Sequence, residues 1–250
     1  MPPRVEDAHQ GVLRLEFTSG GYRLVGNLHL PRRGAPCVLL LHGLDSHKDG
    51  GKWPRLAERL CQAGFAAFRF NFRGCGIGPE ASEGRFEETT LSGRLEDLRA
   101  AVDLLRRSGL VDASRLGAVG SSFGGMVALA GSTLFKAMVL LATPCRMHVP
   151  AGGLTLPSGK RIGPSLAEDL RRYDMLRLAA EAPPLLIIHG SRDEVVPPEH
   201  ATALYRAARQ PKRLEIVEGA DHVFSRPEHL ERVVSLCIEW LRRYLGGGSP

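Results

Sequence analysis

Gly120-Ser121-Ser122-Phe123-Gly124 follows an apolar run, Leu116 to Val119, and opens into a small-residue segment of helical character, Gly125 to Ala130. A strand that passes into a helix through Gly-x-Ser-x-Gly makes a tight elbow and holds its central residue in a strained backbone conformation. Side chains at the flanking positions would collide as strand and helix pack together, so glycines are required there. The strained residue, Ser122, is presented at the edge of a sheet, where a base can reach it. Read without its context, the stretch is a Gly/Ser-rich turn with no chemistry; the neighbouring segments decide between the two readings.

A serine hydroxyl is a weak nucleophile at neutral pH. It needs an imidazole as base and a third group to orient that imidazole. On an elbow-bearing sheet the acid follows the serine in the chain and the histidine comes last. Leu185-Leu186-Ile187-Ile188-His189-Gly190 reads as a buried strand ending in Ser191-Arg192-Asp193-Glu194-Val195-Val196-Pro197. Asp193 thus follows a strand's carboxyl end, where open parallel sheets place their sites. Glu194 is a rival acid, and Asp193 can equally be read as a turn former ahead of Pro197-Pro198. Leu214-Glu215-Ile216-Val217 reads as the next strand, and His222 lies in the loop after it. Asp221 ranks below Asp193, because neighbours on one loop rarely meet side chain to side chain. Attack on a carbonyl also creates an oxyanion, which two preorganised backbone N–H groups should receive. One belongs to Phe123. The second is expected from Leu44 in His42-Gly43-Leu44-Asp45-Ser46, behind the apolar run Cys37 to Leu41, with Gly43 making a sharp turn.

The rest of the chain repeats one unit. Gly11–Ser19 and Tyr22–Leu30 alternate apolar and polar residues about Gly20-Gly21 and read as an antiparallel hairpin. Short apolar strands then alternate with helical stretches, the mark of βαβ crossovers. The strands lie at Val38–Leu41, Ala66–Phe72, Leu116–Gly120, Ala137–Ala142, Leu185–His189 and Arg213–Val217. Helices are expected near Pro54–Ala63, Ser92–Arg107, Glu199–Ala208 and Pro227–Tyr244, besides the one behind the elbow. This gives eight strands in one domain, 1–250. Residues 143–184 form a connection far longer than a crossover needs. Within it, Leu154–Ile162 reads as a hairpin turning at Pro157-Ser158-Gly159-Lys160, followed by a helical piece, Ser165 to Ala180.

Composition narrows the partners. The chain of 250 residues is 43% hydrophobic, enough for a sizeable core. It has no apolar run long enough to span a membrane. The start, Met1 to Asp7, lacks a secretory core, so a cytoplasmic location is expected. The net charge is +6, but basic residues are interleaved with acidic ones, which argues against nucleic acid. Five cysteines, widely spaced and without a Cys-x-x-Cys pair, read as reduced thiols rather than metal ligands. Cys37, Cys61 and Cys237 are expected in the core and Cys75 beside the site. Gly246 to Pro250 reads as a flexible tail.

His42-Gly43-Leu44, Asn71-Phe72-Arg73-Gly74-Cys75-Gly76, the elbow and the Asp193/His222 pair together resemble the α/β-hydrolase superfamily, roughly from Gly11 to Leu245. The chain is most similar to single-domain serine esterases of the feruloyl (cinnamoyl) type. The resemblance implies an α/β-hydrolase fold: an eight-stranded, mostly parallel sheet, helices on both faces, and a small cap-like insertion (hairpin plus helix, 143–184) after the sixth strand. It implies Ser122 as nucleophile, His222 as base, Asp193 as its partner, and Leu44 and Phe123 as oxyanion donors. The implied activity is hydrolysis of small to medium acyl or aryl esters through an acyl-enzyme, with no metal or cofactor. Asn71 and Cys75 stand where many relatives have Asp and His, in a loop beside the site. His148, Leu154, Leu156 and Ile162 are candidate pocket walls, though each taken singly is better explained by packing of the hairpin. Two rival functions stay open: a peptidase, thioesterase or lipase on the same scaffold, and a ligand-binding protein without turnover. A homodimer is compatible with the sequence, which does not specify an oligomeric state.

Overall fold

The structure, a computed structural model, describes residues 6–9 and 11–246. Most of the amino-terminal stretch considered above, and the glycine-rich tail from residue 247 on, lie outside the described residues.

Strand β1 (Glu6–His9) pairs antiparallel with β2 (Val12–Ser19), which pairs with β3 (Tyr22–His29). Ser19 faces Tyr22 across a two-residue turn in which Gly20 and Gly21 both have positive φ, +54° and +87°. That backbone matches the twist of the strands it joins and suits glycine at both positions. Then follow β4 (Ala35–Leu41), α1 (Trp53–Gln62), β5 (Ala66–Phe70), α2 (Leu91–Ser108), β6 (Val111–Ser121), α3 (Phe123–Ala130) and β7 (Ala137–Leu141). A small hairpin, β8 (Leu154–Thr155) and β9 (Arg161–Ile162), leads to α4 (Ser165–Leu170) and α5 (Met175–Glu181). The chain ends with β10 (Leu185–Gly190), α6 (Glu199–Ala207), β11 (Lys212–Val217) and α7 (Pro227–Leu245).

The main sheet runs β1-β2-β3-β5-β4-β6-β7-β10-β11, parallel from β5 onward. All eight expected strands are present, and β1 adds a ninth at the antiparallel edge. β4 is buried at every residue, as a strand covered on both faces must be. Its side chains alternate between two cores. Cys37, Leu39 and Leu41 join the cluster beneath α2 and α3, whereas Val38 and Leu40 join the cluster beneath α1 and α7. The helical piece expected over Ser165–Ala180 is two helices. Asp174 breaks the run because its carboxylate accepts the N–H groups of Leu176 and Arg177 and starts α5 afresh. Among the described residues no helix is long and apolar enough to cross a membrane.

Candidate active site

The parallel strands deliver the chemistry-bearing residues to one edge. Leu44 follows β4, Ser122 follows β6, Asp193 follows β10 and His222 follows β11, all beyond carboxyl ends of the sheet. Ser122 has φ +55° and ψ −123°, a conformation that costs an L-residue about 1–3 kcal/mol. Tight packing enforces it. A Cβ on Gly120 would lie 2.5 Å from the Gly124 carbonyl oxygen, and one on Gly124 would lie 2.0 Å from the Leu41 carbonyl oxygen. A Cβ on Gly125 would meet Thr143 Oγ1 at 1.9 Å. Gly125→Ala is therefore expected to destabilise the fold by about 3 kcal/mol or more, because no neighbour at this position is a flexible tip. Urea unfolding measures it, and an unchanged midpoint would show the elbow to be looser than its geometry implies.

Asp193 is buried and receives four N–H groups. Val195 and Val196 donate to Oδ1 at 2.9 and 2.8 Å. The His222 Nδ1–H donates to Oδ2 at 2.8 Å, and the His189 Nε2–H reaches the same oxygen at 3.1 Å while also serving the Val196 carbonyl at 2.8 Å. Burial alone would raise the Asp193 pKa. Hydrogen bonds from His189, His222 and Val196 outweigh it and hold the carboxyl well below its ordinary range. The carboxylate can only accept, so it fixes the proton of His222 on Nδ1 and leaves Nε2 as the basic nitrogen. The Ser122 hydroxyl is not hydrogen-bonded to His222 among the described residues, but both groups border one cavity. Glu194 is exposed, and Asp221 is engaged with the N–H and hydroxyl of Ser225.

The loop after β4 is held from beneath. His42 is buried, donates Nδ1–H to the Gly43 carbonyl at 2.8 Å and accepts the Phe72 N–H on Nε2 at 3.3 Å. Burial, then the charge of Arg94, push its pKa well below the ordinary value, so it stays neutral. Arg94 is buried too. Its guanidinium donates to the carbonyls of Gly43 and His42 at 3.1 and 3.4 Å and packs over the rings of Phe72 and Phe123 at 4.8 and 5.3 Å. One cation thus ties the loop bearing Leu44 to the residue after Ser122. Phe123 opens α3, where the first N–H groups have no intrahelical acceptor. Gly43 is not among the glycines of positive φ, so it does not supply the sharp turn expected of it. What it permits is close approach: a Cβ there would stand 3.3 Å from Ser122 Cβ.

The cavity over Ser122 has a volume of about 580 Å³. Of the pocket walls named from sequence, His148, Leu154 and Leu156 line it. Ile162 does not. It is fully buried in the core, paired with Leu154 in the small hairpin, so it packs that hairpin down rather than facing the cavity. Cys75 is not in the cavity wall either; its Sγ lies 3.4 Å from Arg94. Cys37 and Cys237 are buried, while Cys61 is half-buried. Asn71 bridges the loop beside the site, accepting the Lys48 N–H and donating to the Glu80 carbonyl, each at 2.7 Å. The hairpin tip is pinned to the loop after β4, where Ser158 donates its N–H and hydroxyl to Asp45.

The sequence model of the prolyl oligopeptidase family matches residues 56–248, a span that includes the elbow, Asp193 and His222. The chain belongs to this family. Among its relatives is "Putative esterase YitV" of Bacillus subtilis (strain 168), 27% identical over 239 residues, 85% of this chain and 91% of that protein. Its fold is similar to that of Est1E from Butyrivibrio proteoclasticus, solved with ferulic acid bound, with a TM-score of 0.81, 22% identity, and coverage of 92% of this chain and 98% of that one. An esterase domain from a Rhodothermus marinus protein matches at a TM-score of 0.75 and 27% identity, over 94% of this chain and 99% of that one. This member of the prolyl oligopeptidase family has the α/β-hydrolase fold. The family match begins after the loop of His42 and Leu44 and includes Arg94.

Sequence reasoning missed several residues around the cavity. Lys52, Trp53, Arg146, His200, Val195 and Val223 all line it. They carry no motif and come from five separate segments. Only the position of Val195 and Val223, next to Asp193 and His222, offered a signal.

Proposed function

We propose that this chain is a serine hydrolase of carboxylic esters, acting on small to medium acyl or aryl esters through Ser122, His222 and Asp193. Its being an ester hydrolase draws support from the family, from the esterase named among its relatives and from the esterase domain of similar fold. The observation that carries the site is Ser122 at φ +55°, opening onto the same cavity as His222, whose Nδ1 is bonded to Asp193. His222 Nε2 takes the proton as the Ser122 hydroxyl adds to the ester carbonyl. The N–H groups of Leu44 and Phe123 receive the oxyanion. His222 then protonates the departing alcohol, leaving an acyl group on Ser122. Water, deprotonated by the same imidazole, releases the acid. Residues 143–184 act as a partial cap whose hairpin supplies Leu154 and Leu156 to the pocket.

The test is stoichiometric labelling with a fluorophosphonate, located by peptide mass mapping, together with a panel of p-nitrophenyl esters of rising chain length and methyl ferulate. Labelling at Ser122 and preference for short acyl chains or ferulate are expected. A protein that is not labelled, or that prefers long chains, overturns the reading. The family match favours peptide hydrolysis as the second reading. Ester and anilide substrates with the same acyl group separate the two, and anilide turnover at a rate comparable to that of the ester would favour the peptidase.

A further inference from the structure

Two lysines in this fold are buried, and they are treated differently. Lys48, at 2% exposure, is met by Asn27, Asp49 and Glu80. Lys52 is 8% exposed, and its ammonium makes no hydrogen bond or ion pair among the described residues. Its ammonium lies 5.4 Å from the Trp53 ring centroid and 5.9 Å from that of Phe224. The carboxylates whose charge reaches it are already engaged: Asp193 by its four donors, Asp221 by Ser225. Burial lowers the Lys52 pKa to about 8, against the pull of Asp221, Cys237 and Asp193. The Lys52 side chain is thus buried along its stem and opens onto the cavity, where its ammonium meets two aromatic faces and no carboxylate, so it is free to receive an anionic group there.

Lys52 lines the cavity that holds Ser122 and His222. Its contact with Phe224 puts it on the side of the His222 loop. In the proposed reaction His222 must protonate the departing alcohol, so the alcohol half of the ester lies on that side. The rest of the lining has the same sign. Arg146 also borders the cavity without an ion pair among the described residues, while the one carboxylate of the wall, Asp45, is held by Ser158 and faces Lys160 at 3.9 Å. An otherwise apolar wall with a few polar groups is how pockets set specificity.

We propose that Lys52 is a substrate-recognition residue whose ammonium receives a carboxylate carried on the alcohol half of the ester. This deepens the esterase reading and rests on it for the word substrate, though anion binding at Lys52 can be measured without turnover.

Two arms test it. In the first, kcat/KM is measured for 4-acetoxybenzoate and for its neutral methyl ester, with wild type, Lys52→Met and Lys52→Arg. The ratio of the two esters cancels any general loss of activity. It should fall roughly tenfold or more in Lys52→Met and recover in part in Lys52→Arg, since a site built around a charged group discriminates against the analogue lacking it. An unchanged ratio overturns the inference and leaves the esterase reading standing. In the second arm, benzoate and neutral benzamide are titrated against tryptophan fluorescence, which reports on Trp53 as one of two tryptophans. Saturable binding of benzoate alone, weakened in Lys52→Met, supports the inference even if neither ester is hydrolysed. Equal binding of the two, or no effect of Lys52→Met, overturns it whatever the turnover.

Discussion

Ser122→Ala should abolish turnover while leaving the fold intact. Removing a triad nucleophile lowers kcat by ~10⁶, and what remains comes from binding and the oxyanion donors. The backbone gives this substitution an unusually clean control. At φ +55° and ψ −123° serine and alanine suffer the same Cβ collision, so Ser122→Ala should melt close to wild type. Ser122→Gly removes the collision and should gain about 1 kcal/mol or more in stability, less the greater entropy lost by glycine. Activity and stability therefore move in opposite directions at a single residue, as expected where strain is maintained for function. Initial rates on p-nitrophenyl acetate and thermal melts of the three proteins decide the matter. A Ser122→Ala enzyme with a tenth of wild-type activity would remove Ser122 from the mechanism.

The features legible in the sequence were those encoded locally. A strand buried on both faces must be continuously apolar, so Leu185–Ile188 and Cys37–Leu41 identify themselves. The elbow is legible in part because Gly120 answers to a contact within a few residues, Gly124, although Gly124 itself answers to Leu41, far away in the chain. Gly125 is similar. Its partner is Thr143, at the end of the next strand, and no local pattern announces that contact. The two-helix form of 165–181 was hidden for a related reason: Ser165 to Ala180 reads as one helical piece, and one capping carboxylate, Asp174, divides it.

The surroundings of the site were illegible because they are assembled from afar. Arg94 sits on α2 in a pattern that reads as one more charged position on an amphipathic helix, yet it is buried beneath Gly43, against two phenylalanine rings. His189 belongs to a stretch that reads simply as a buried strand, and it is the second imidazole on Asp193. Ile162 erred the other way. Its place in the insertion suggested the pocket, but Leu154 and Ile162 are register partners on one face of the two-stranded hairpin, and that face packs against the core. Leu154 is half-buried at the cavity, and Ile162 opposite it is wholly in the core.

Asp193→Asn should lower kcat by about 10⁴ with little change in KM, the loss seen when a triad carboxylate becomes an amide. The reason is countable here. Asp193 offers two oxygens to four N–H donors, two backbone groups on Oδ1 and two imidazoles on Oδ2. An amide offers one oxygen and brings two N–H groups of its own. If its NH₂ faces the imidazoles, His222 must turn its lone pair inward and present Nε2–H to Ser122, which is the wrong tautomer for a base. If its NH₂ faces Val195 and Val196, the loop loses its anchor and donor meets donor in a buried place, at about 1–3 kcal/mol of stability. Either way the base is lost or misplaced. The pH dependence follows in sign. Because the folded carboxyl is held below its unfolded value, its contribution to stability is complete above about pH 4 and is lost as the pH falls below it. The Asn variant lacks that contribution, so acid should narrow the stability gap between the two proteins. Glu194→Gln, at the exposed neighbour, should leave both rate and stability near wild type. If Glu194→Gln instead proved the crippled enzyme, and Asp193→Asn the healthy one, the acid of this site would have been misassigned.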